Sequence, residues 1–344
     1  MNLGQPDRVP FSFKLSPTQM DRAEEKLGTR DYAAHFDFDT KSGGAAKTKL
    51  KTDFTVFHDN ADEPGTWLNE WGVLFAPGED SYHFAHRYNP MAKFDSAEQF
   101  EAFPYPDIDA EYRYEHLAAA CAAAHEAGYA FSTGFNLGPI QTIWNIRGMD
   151  RFMIDATVNE DLIRVLYEKV VGMMCRQAKL LAACKPDIIS NGDNCATQRG
   201  LMVSRQFWCD WYGAAHKRIR EAIREVSPDT KYNYHADGMV QELIPDIIAT
   251  GIDVLDPIQP ECMDPAEIKD LYGDKLVLSG AISIQKTMPF GTPADVEAEV
   301  KLRMKTIGKG GGYLMSPTHF IEPEVPWENV IAFVDAARKH GRYD

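Results

Sequence analysis

Positive charge is scarce in this chain: 36 Lys and Arg stand against 51 Asp and Glu, a net charge of -15. A surface that grips a phosphate backbone needs clustered Lys and Arg, so no nucleic-acid partner is expected. An anionic membrane surface is excluded on the same ground. No apolar run approaches the roughly 20 residues that span a bilayer. The opening MNLGQPDRVPF lacks the basic-then-apolar plan of a signal peptide, which points to the cytoplasm. No CxxC pair occurs among the six cysteines, Cys121, Cys175, Cys184, Cys195, Cys209 and Cys262. They read as reduced thiols, mostly small core residues, with Cys262 the one kept open for a role in a site. Nucleotide and hydrolase signatures are missing too. GKGGGY (308–313) lacks the Lys-Ser/Thr of a phosphate loop and precedes a strand, so it reads as a tight turn. No GxSxG elbow is present, and no GxGxxG follows a strand.

What is present is ordinary globular composition, 44% apolar and 25% charged, over 344 residues. No Ser/Gly run, charge block or internal repeat divides the chain, which predicts one domain over 1–344. The second half alternates short apolar strands with helices. Strands are expected at about 187–192, 231–235, 253–257, 276–281 and 311–316. Helices are expected at about 204–226, 239–250, from Asp264, 293–308 and 327–340. Asp264-Pro265 and Thr292-Pro293 with Asp295 have the grammar of helix starts. The first half is less regular, with strands expected at about 8–14, 54–57 and 129–136. The aromatic-rich stretch at about 58–106 has no clear period and reads as an insertion covering one end of a barrel. Eight strands separated by helices predict an α/β fold, a (β/α)8 TIM barrel with an N-terminal aromatic-rich insertion.

In such a barrel chemistry sits at the carboxyl ends of the strands. Those ends are unusually polar here: Asn136; Asp193, Asn194 and Gln198; His235 and Asp237; Gln259, Glu261 and Cys262; Ser283 and Gln285; His319 and Glu322. Residues two apart on a strand point to one side, so His235 and Asp237 can face a common space. His319 could complete a His/Asp/His set, and these are good ligands for Zn²⁺ or Fe²⁺. The spacing equally allows Asp237 to cap the following helix and His235 to be a satisfied barrel histidine. The other eight histidines read as surface or packing residues.

Several stretches resemble the uroporphyrinogen decarboxylase superfamily, which also holds cobalamin-dependent methyltransferases. They are PDRVPF (6–11), NEWGV (69–73), IRGMDRFMID (146–155), GDNCATQRGLMVS (192–204), YHADG (234–238), DVLDPIQPECMDPAEIKDLYG (253–273), LSGAIS (278–283), PFGTP (289–293) and GGGYLMSPTHFIEPEVPWEN (310–329). The resemblance implies the same barrel. True decarboxylases of the family carry paired arginines near the start, for a substrate with eight carboxylates. The matching stretch here, VPFSFKLSPTQM (9–20), has Lys14 and no arginine. The methyltransferase branch binds zinc through a His-x-Cys pair and a later Cys. This chain has His235-Ala236-Asp237 and His319 in those places, with both thiolates replaced.

The resemblance therefore implies zinc at His235, Asp237 and His319, with Cys262 or Glu261 as a fourth ligand. It also implies a corrinoid carried by a partner protein. Harder ligands make a stronger Lewis acid, which suits activation of an oxygen leaving group. The expected activity is demethylation of a small methyl ether, such as a methoxylated aromatic. Asp193, Tyr234 or Glu261 would move a proton or orient the substrate. Asn136, Asn194, Gln198 and Gln259 would contact substrate or corrinoid. Trp67, Trp71, Tyr82 and Phe84 would wall the pocket, or simply pack the insertion. The alternative is a decarboxylase of a carboxylated pyrrolic compound. A third class is an iron site of two histidines and one carboxylate. A homodimer would be unsurprising.

Overall fold

The computed structural model describes residues 3–76 and 86–343. Its strands, in chain order, begin with β1 (Thr40–Ser42). A small antiparallel sheet follows, β2 (Trp67–Leu68), β3 (Leu74–Ala76) and β4 (His86–Tyr88). Then come β5 (Ala130–Gly134) and β6 (Ile188–Gly192). The short pair β7 (Ala196–Thr197) and β8 (Gly200–Leu201) precedes β9 (Lys231–His235). The last are β10 (Val254–Ile258), β11 (Val277–Ile282) and β12 (Tyr313–Pro317). Seven of them form one parallel sheet in the order β1-β5-β6-β9-β10-β11-β12.

The eighth place in the ring belongs to the extended segment around Phe11. Met315 N donates to Pro10 O at 2.9 Å and Ser12 N donates to Met315 O at 3.1 Å, so the segment runs parallel to β12. Further along, Ile321 N donates to Lys14 O at 2.8 Å and Ser16 N to Ile321 O at 3.1 Å. On the other side Phe11 N donates to Asp39 Oδ2 at 3.2 Å, just ahead of β1. Alternation explains the placement: Val9, Phe11, Phe13 and Leu15 are buried, Phe11 and Phe13 against Phe333 of the last helix, while Ser12 and Lys14 are exposed on the other side of the segment. Phe13 meets Phe38 edge to face at 4.8 Å. Each such ring contributes about 1.5–3 kcal/mol by leaving water. The molecule is a TIM barrel closed by its own N-terminal segment.

One expected strand is corrected. Residues 54–57 do not enter the sheet; Thr55–Phe57 is a single 3-10 turn, with Phe54 stacked on Phe103 at 5.7 Å. The barrel position belongs instead to β1, whose Thr40 pairs with Ala130. The other strands and the helices of the second half fall within a few residues of expectation. Asp264 caps Pro265–Tyr272 by accepting from Ala266 N at 2.8 Å. Thr292 and Asp295 form a reciprocal capping box on Pro293–Lys305. The helix at 204–226 contains a π-turn, Trp208–Gly213, which buries Trp208, Trp211 and Tyr212 together.

The insertion is fastened to the outside of the barrel. Arg147 is buried, pairs with Asp155 at 2.7 Å, and donates to the carbonyls of Met91 and Phe94 at 2.5 and 2.7 Å. The helix Ala97–Ala102 packs on the long helix Glu160–Ala183. No helix among the described residues is long and apolar enough to cross a membrane.

Candidate metal centre

The carboxyl end of β9 brings His235 and Asp237 into one space. The ladder continues one residue past the strand, because Ala236 N donates to Asp256 O at 2.8 Å. Asp237 Oδ2 lies 3.3 Å from His235 Nε2. His319, two residues past β12, joins them: one ligand atom from each of His235, Asp237 and His319 lies within 4.8 Å of the others. The two imidazole centroids are 6.3 Å apart. Gly192 on β6 makes room for the backbone here. A Cβ at that position would stand 2.1 Å from His235 O, so only glycine lets β6 and β9 approach so closely.

The orientation of His235 is set by a row of polar residues across three strands. Asp256 is the register partner of His235 in the parallel pair β9–β10, so the two side chains share a side of the sheet. Asp256 Oδ2 lies 2.7 Å from His235 Nδ1, and its Oδ1 accepts from Ser279 Oγ of β11 at 2.7 Å. This is the carboxylate–histidine arrangement that leaves Nε2 for a ligand. Burial alone would lower the His235 pKa, but the hydrogen bonds to Asp237 and Asp256 overcome it and push it up to about 10. Asp256 is pulled the other way: burial would raise it, and the bond to His235 holds it below the usual carboxylate range. In the metal-free protein Nε2 therefore carries a proton facing Asp237, and a bound ion would take that proton's place.

The group opens onto a cavity of about 390 Å³. Its lining includes Gln198, Asp237, Gln259, Gln285, His319, Phe320, Glu322 and Glu324. Gln198 and Gln259, expected as polar contacts, are thus beside the centre. Gln259 is buried, with Oε1 accepting from Gly238 N at 3.1 Å. Asn194 is one layer back and accepts from Asp237 N at 3.4 Å.

Other expected residues fall elsewhere. Asp193 is completely buried and accepts from Ile140 N at 3.2 Å, Gln141 N at 2.6 Å and His216 Nε2 at 2.9 Å. It anchors the first turn of the helix Pro139–Arg147 and a buried histidine. Tyr234 is buried as well; its hydroxyl donates to Asp193 O at 3.1 Å and accepts from Trp208 Nε1 at 3.3 Å. Burial pushes the Tyr234 phenol well above its ordinary value, so it stays protonated. Glu261 accepts a short hydrogen bond from Ser283 Oγ, and its Oε2 is buried without a partner. Of the two expected candidates for a fourth ligand, neither Cys262 nor Glu261 belongs to the three-residue group found among the described residues. Burial, with Glu261 and Asp237 nearby, raises the Cys262 thiol pKa. Asn136 is exposed beyond β5 and is not part of the cavity wall. Trp71 is buried against Tyr105 at 6.5 Å, and Trp67 is half exposed, stacked on Phe75 at 5.3 Å. No described residue of the insertion lines the cavity. Tyr82 and Phe84 lie outside the described residues.

Asp256, Ser279 and His216 were missed from the sequence. Asp256 had a readable signal, since it is the single charge inside the apolar run Val254-Leu255-Asp256-Pro257-Ile258.

A parallel barrel with two histidines and a carboxylate converging at its strand ends defines the class: a TIM barrel with a candidate metal centre. Sequence comparison narrows it. Residues 87–340 match the uroporphyrinogen decarboxylase (URO-D) family, and the chain belongs to that family. It is 35% identical to a uroporphyrinogen decarboxylase of Psychromonas ingrahamii over 77 residues, 22% of this chain and 21% of that protein. It is 26% identical to the Proteus mirabilis uroporphyrinogen decarboxylase over 147 residues, 42% and 39% of the two chains. These matches span well under half the length of the curated relatives. Among solved structures a methyltransferase from Methanosarcina mazei superposes with a TM-score of 0.67 at 17% identity, covering 97% of this chain and 94% of that one. That likeness carries the fold.

Proposed function

We propose that this protein is a corrinoid-linked methyltransferase that demethylates a small methyl ether, with zinc at His235, Asp237 and His319. The observation that carries the reading is the convergence of these three side chains with Asp256 behind His235. Two imidazoles and a carboxylate suit zinc, and three protein ligands leave a position open for substrate. The donor set fits the ion: Asp256 occupies Nδ1 and leaves Nε2 directed at Asp237. A bound zinc ion supplies Lewis acidity to an ether oxygen. The protein's own residues do the rest. Asp256 and Ser279 fix the His235 ring, Gln259 and Gln198 offer polar contacts, and Phe320 and Ile284 supply apolar wall. The cavity has room for a single-ring substrate. The methyl acceptor is a corrinoid on a partner protein. The Methanosarcina mazei neighbour, named a methyltransferase, is consistent with this reading.

Decarboxylation is the second reading, favoured by the names of the curated relatives. Its polycarboxylate substrate would need cationic side chains, and the described cavity lining contains no Lys or Arg. The two readings are separated by metal analysis and a corrinoid assay. Zinc retention, lost in His235→Ala and in His319→Ala, with methyl-cobalt absorbance on mixing reduced corrinoid protein and a methyl-ether panel, supports the first. Metal-free protein that gives no methyl-cobalt with any ether sinks it, and turnover of uroporphyrinogen would replace it.

A further inference from the structure

The cavity wall has a charge bias of its own. The described lining holds three carboxylates, Asp237, Glu322 and Glu324, three amides, Gln198, Gln259 and Gln285, and no Lys or Arg. A divalent ion at the centre would share Asp237 as a ligand and leave the carboxylates of Glu322 and Glu324 on the wall. Lys14 is outside the lining, 5.8 Å from the centroid of the Phe320 ring, and its charge is directed at Asp256 behind His235. A ligand carboxylate entering here would lose hydration and meet charges of its own sign.

Gln259 gives the wall a specific reader. It is 6% exposed, and its Oε1 is already engaged by Gly238 N at 3.1 Å. Fixing the oxygen also fixes the other end of the planar amide, so the Nε2 hydrogens are the part left for a ligand. Once a ligand shuts water out of the cavity, that donor needs an acceptor on the ligand.

We propose that the cavity selects a methyl donor bearing no negative charge, and that Gln259 recognises it by donating from Nε2 to an uncharged oxygen of the ligand. The proposal rests on the methyl-ether reading of this site and adds the chemical class of the ether. Carboxylated methoxy-aromatics are thereby excluded, and hydroxylated ones are accepted.

The test is calorimetric binding of meta-methoxyphenol and meta-methoxybenzoate to the zinc-loaded protein, a pair that differs in hydroxyl against carboxylate. The phenol is expected to bind at least about tenfold more tightly. Gln259→Glu keeps an acceptor for Gly238 and removes the donor; it should weaken the phenol about fivefold. Glu324→Lys, at an exposed position, should narrow the gap between the two ligands. Benzoate binding as tightly as phenol overturns the proposal, and so does a folded Gln259→Glu with unchanged phenol affinity. Either result leaves the methyl-ether reading standing. Binding of neither ligand, nor of any other methyl ether, overturns that reading and this proposal with it.

Discussion

Replacing Asp256 by Asn removes a charge one layer behind the metal centre while keeping the shape of the side chain. The carboxylate sits in register with His235 and makes two bonds of 2.7 Å, one with Nδ1 of the imidazole and one from Ser279 Oγ. A carboxylate can only accept, so Nδ1 keeps its hydrogen and Nε2 is left for an ion. An amide can turn either its oxygen or its NH2 toward the ring, and the ring loses a partner that stabilises positive charge. Loss of an outer partner of this kind costs roughly 10–100-fold in metal affinity. That is about 1.4–2.7 kcal/mol. The figure agrees with the roughly 1.5–3 kcal/mol of a hydrogen bond to a charged group. The assay is a zinc dissociation constant measured by competition with a chromophoric chelator, with the unfolding temperature of each metal-free protein recorded beside it. Ser279→Ala should act in the same direction and more weakly, since Asp256 keeps its bond to the imidazole. A folded Asp256→Asn protein that binds zinc within about twofold of the parent would refute the claim that Asp256 orients His235.

Asp193→Ala should lower stability with little effect on zinc affinity, because it strips the acceptor from two backbone N–H groups and buried His216. Each donor left unsatisfied costs about 1–3 kcal/mol, read by denaturant unfolding. Gly192→Ala should displace the β9 backbone at His235, since its Cβ has no room beside His235 O, and zinc retention should fall in a protein that still folds. Glu297 is held down to about 2 by His340, Lys301 and Lys339, joining Pro293–Lys305 to Trp327–His340. A depressed carboxylate stabilises the fold above its ordinary pKa of 4.5 and loses that contribution as pH falls toward about 2. The unfolding-temperature gap between the parent and Glu297→Gln should therefore be full at about pH 6 and close on acidification; a gap independent of pH contradicts the assignment.

The barrel was legible in the sequence wherever a strand is apolar and its helix is punctuated, as at Val277–Ile282 followed by Thr292-Pro293. It was not legible at β1. Thr40-Lys41-Ser42 has neither length nor apolar alternation, and its place is imposed by pairing with Ala130–Ser132. Phe54-Thr55-Val56-Phe57 has strand-like composition, yet its aromatics pack locally against Phe103 and the chain turns instead. His235 and Asp237 could be picked out because they stand two apart at a strand end and share a side, and His319 because it follows the last strand. Tyr234 is one residue before His235, so alternation turns it to the other side, toward Trp208; Asp193 follows a strand as well, and its position alone did not tell a group facing the cavity from one bonded to buried His216. Asp256 required the cross-strand register, which no single strand contains.

The closing of the ring by the segment around Phe11 also governs how firmly the centre is held. That segment holds β12 and the chain just beyond it: Ile321 is bonded to Lys14 and Ser16, and Gln19 Nε2 donates to Glu322 O at 2.7 Å and to Val325 O at 2.9 Å. His319 lies between these fastenings. In chain order His235 and Asp237 precede their third partner by three strands, β10, β11 and β12, and the segment that pins that partner lies ahead of them all. The third ligand is thus held in place by contacts between stretches far apart in the chain, Gln19 and Glu322 standing 303 residues apart. A loosened clasp would free His319 and leave His235 and Asp237 as a pair of ligands.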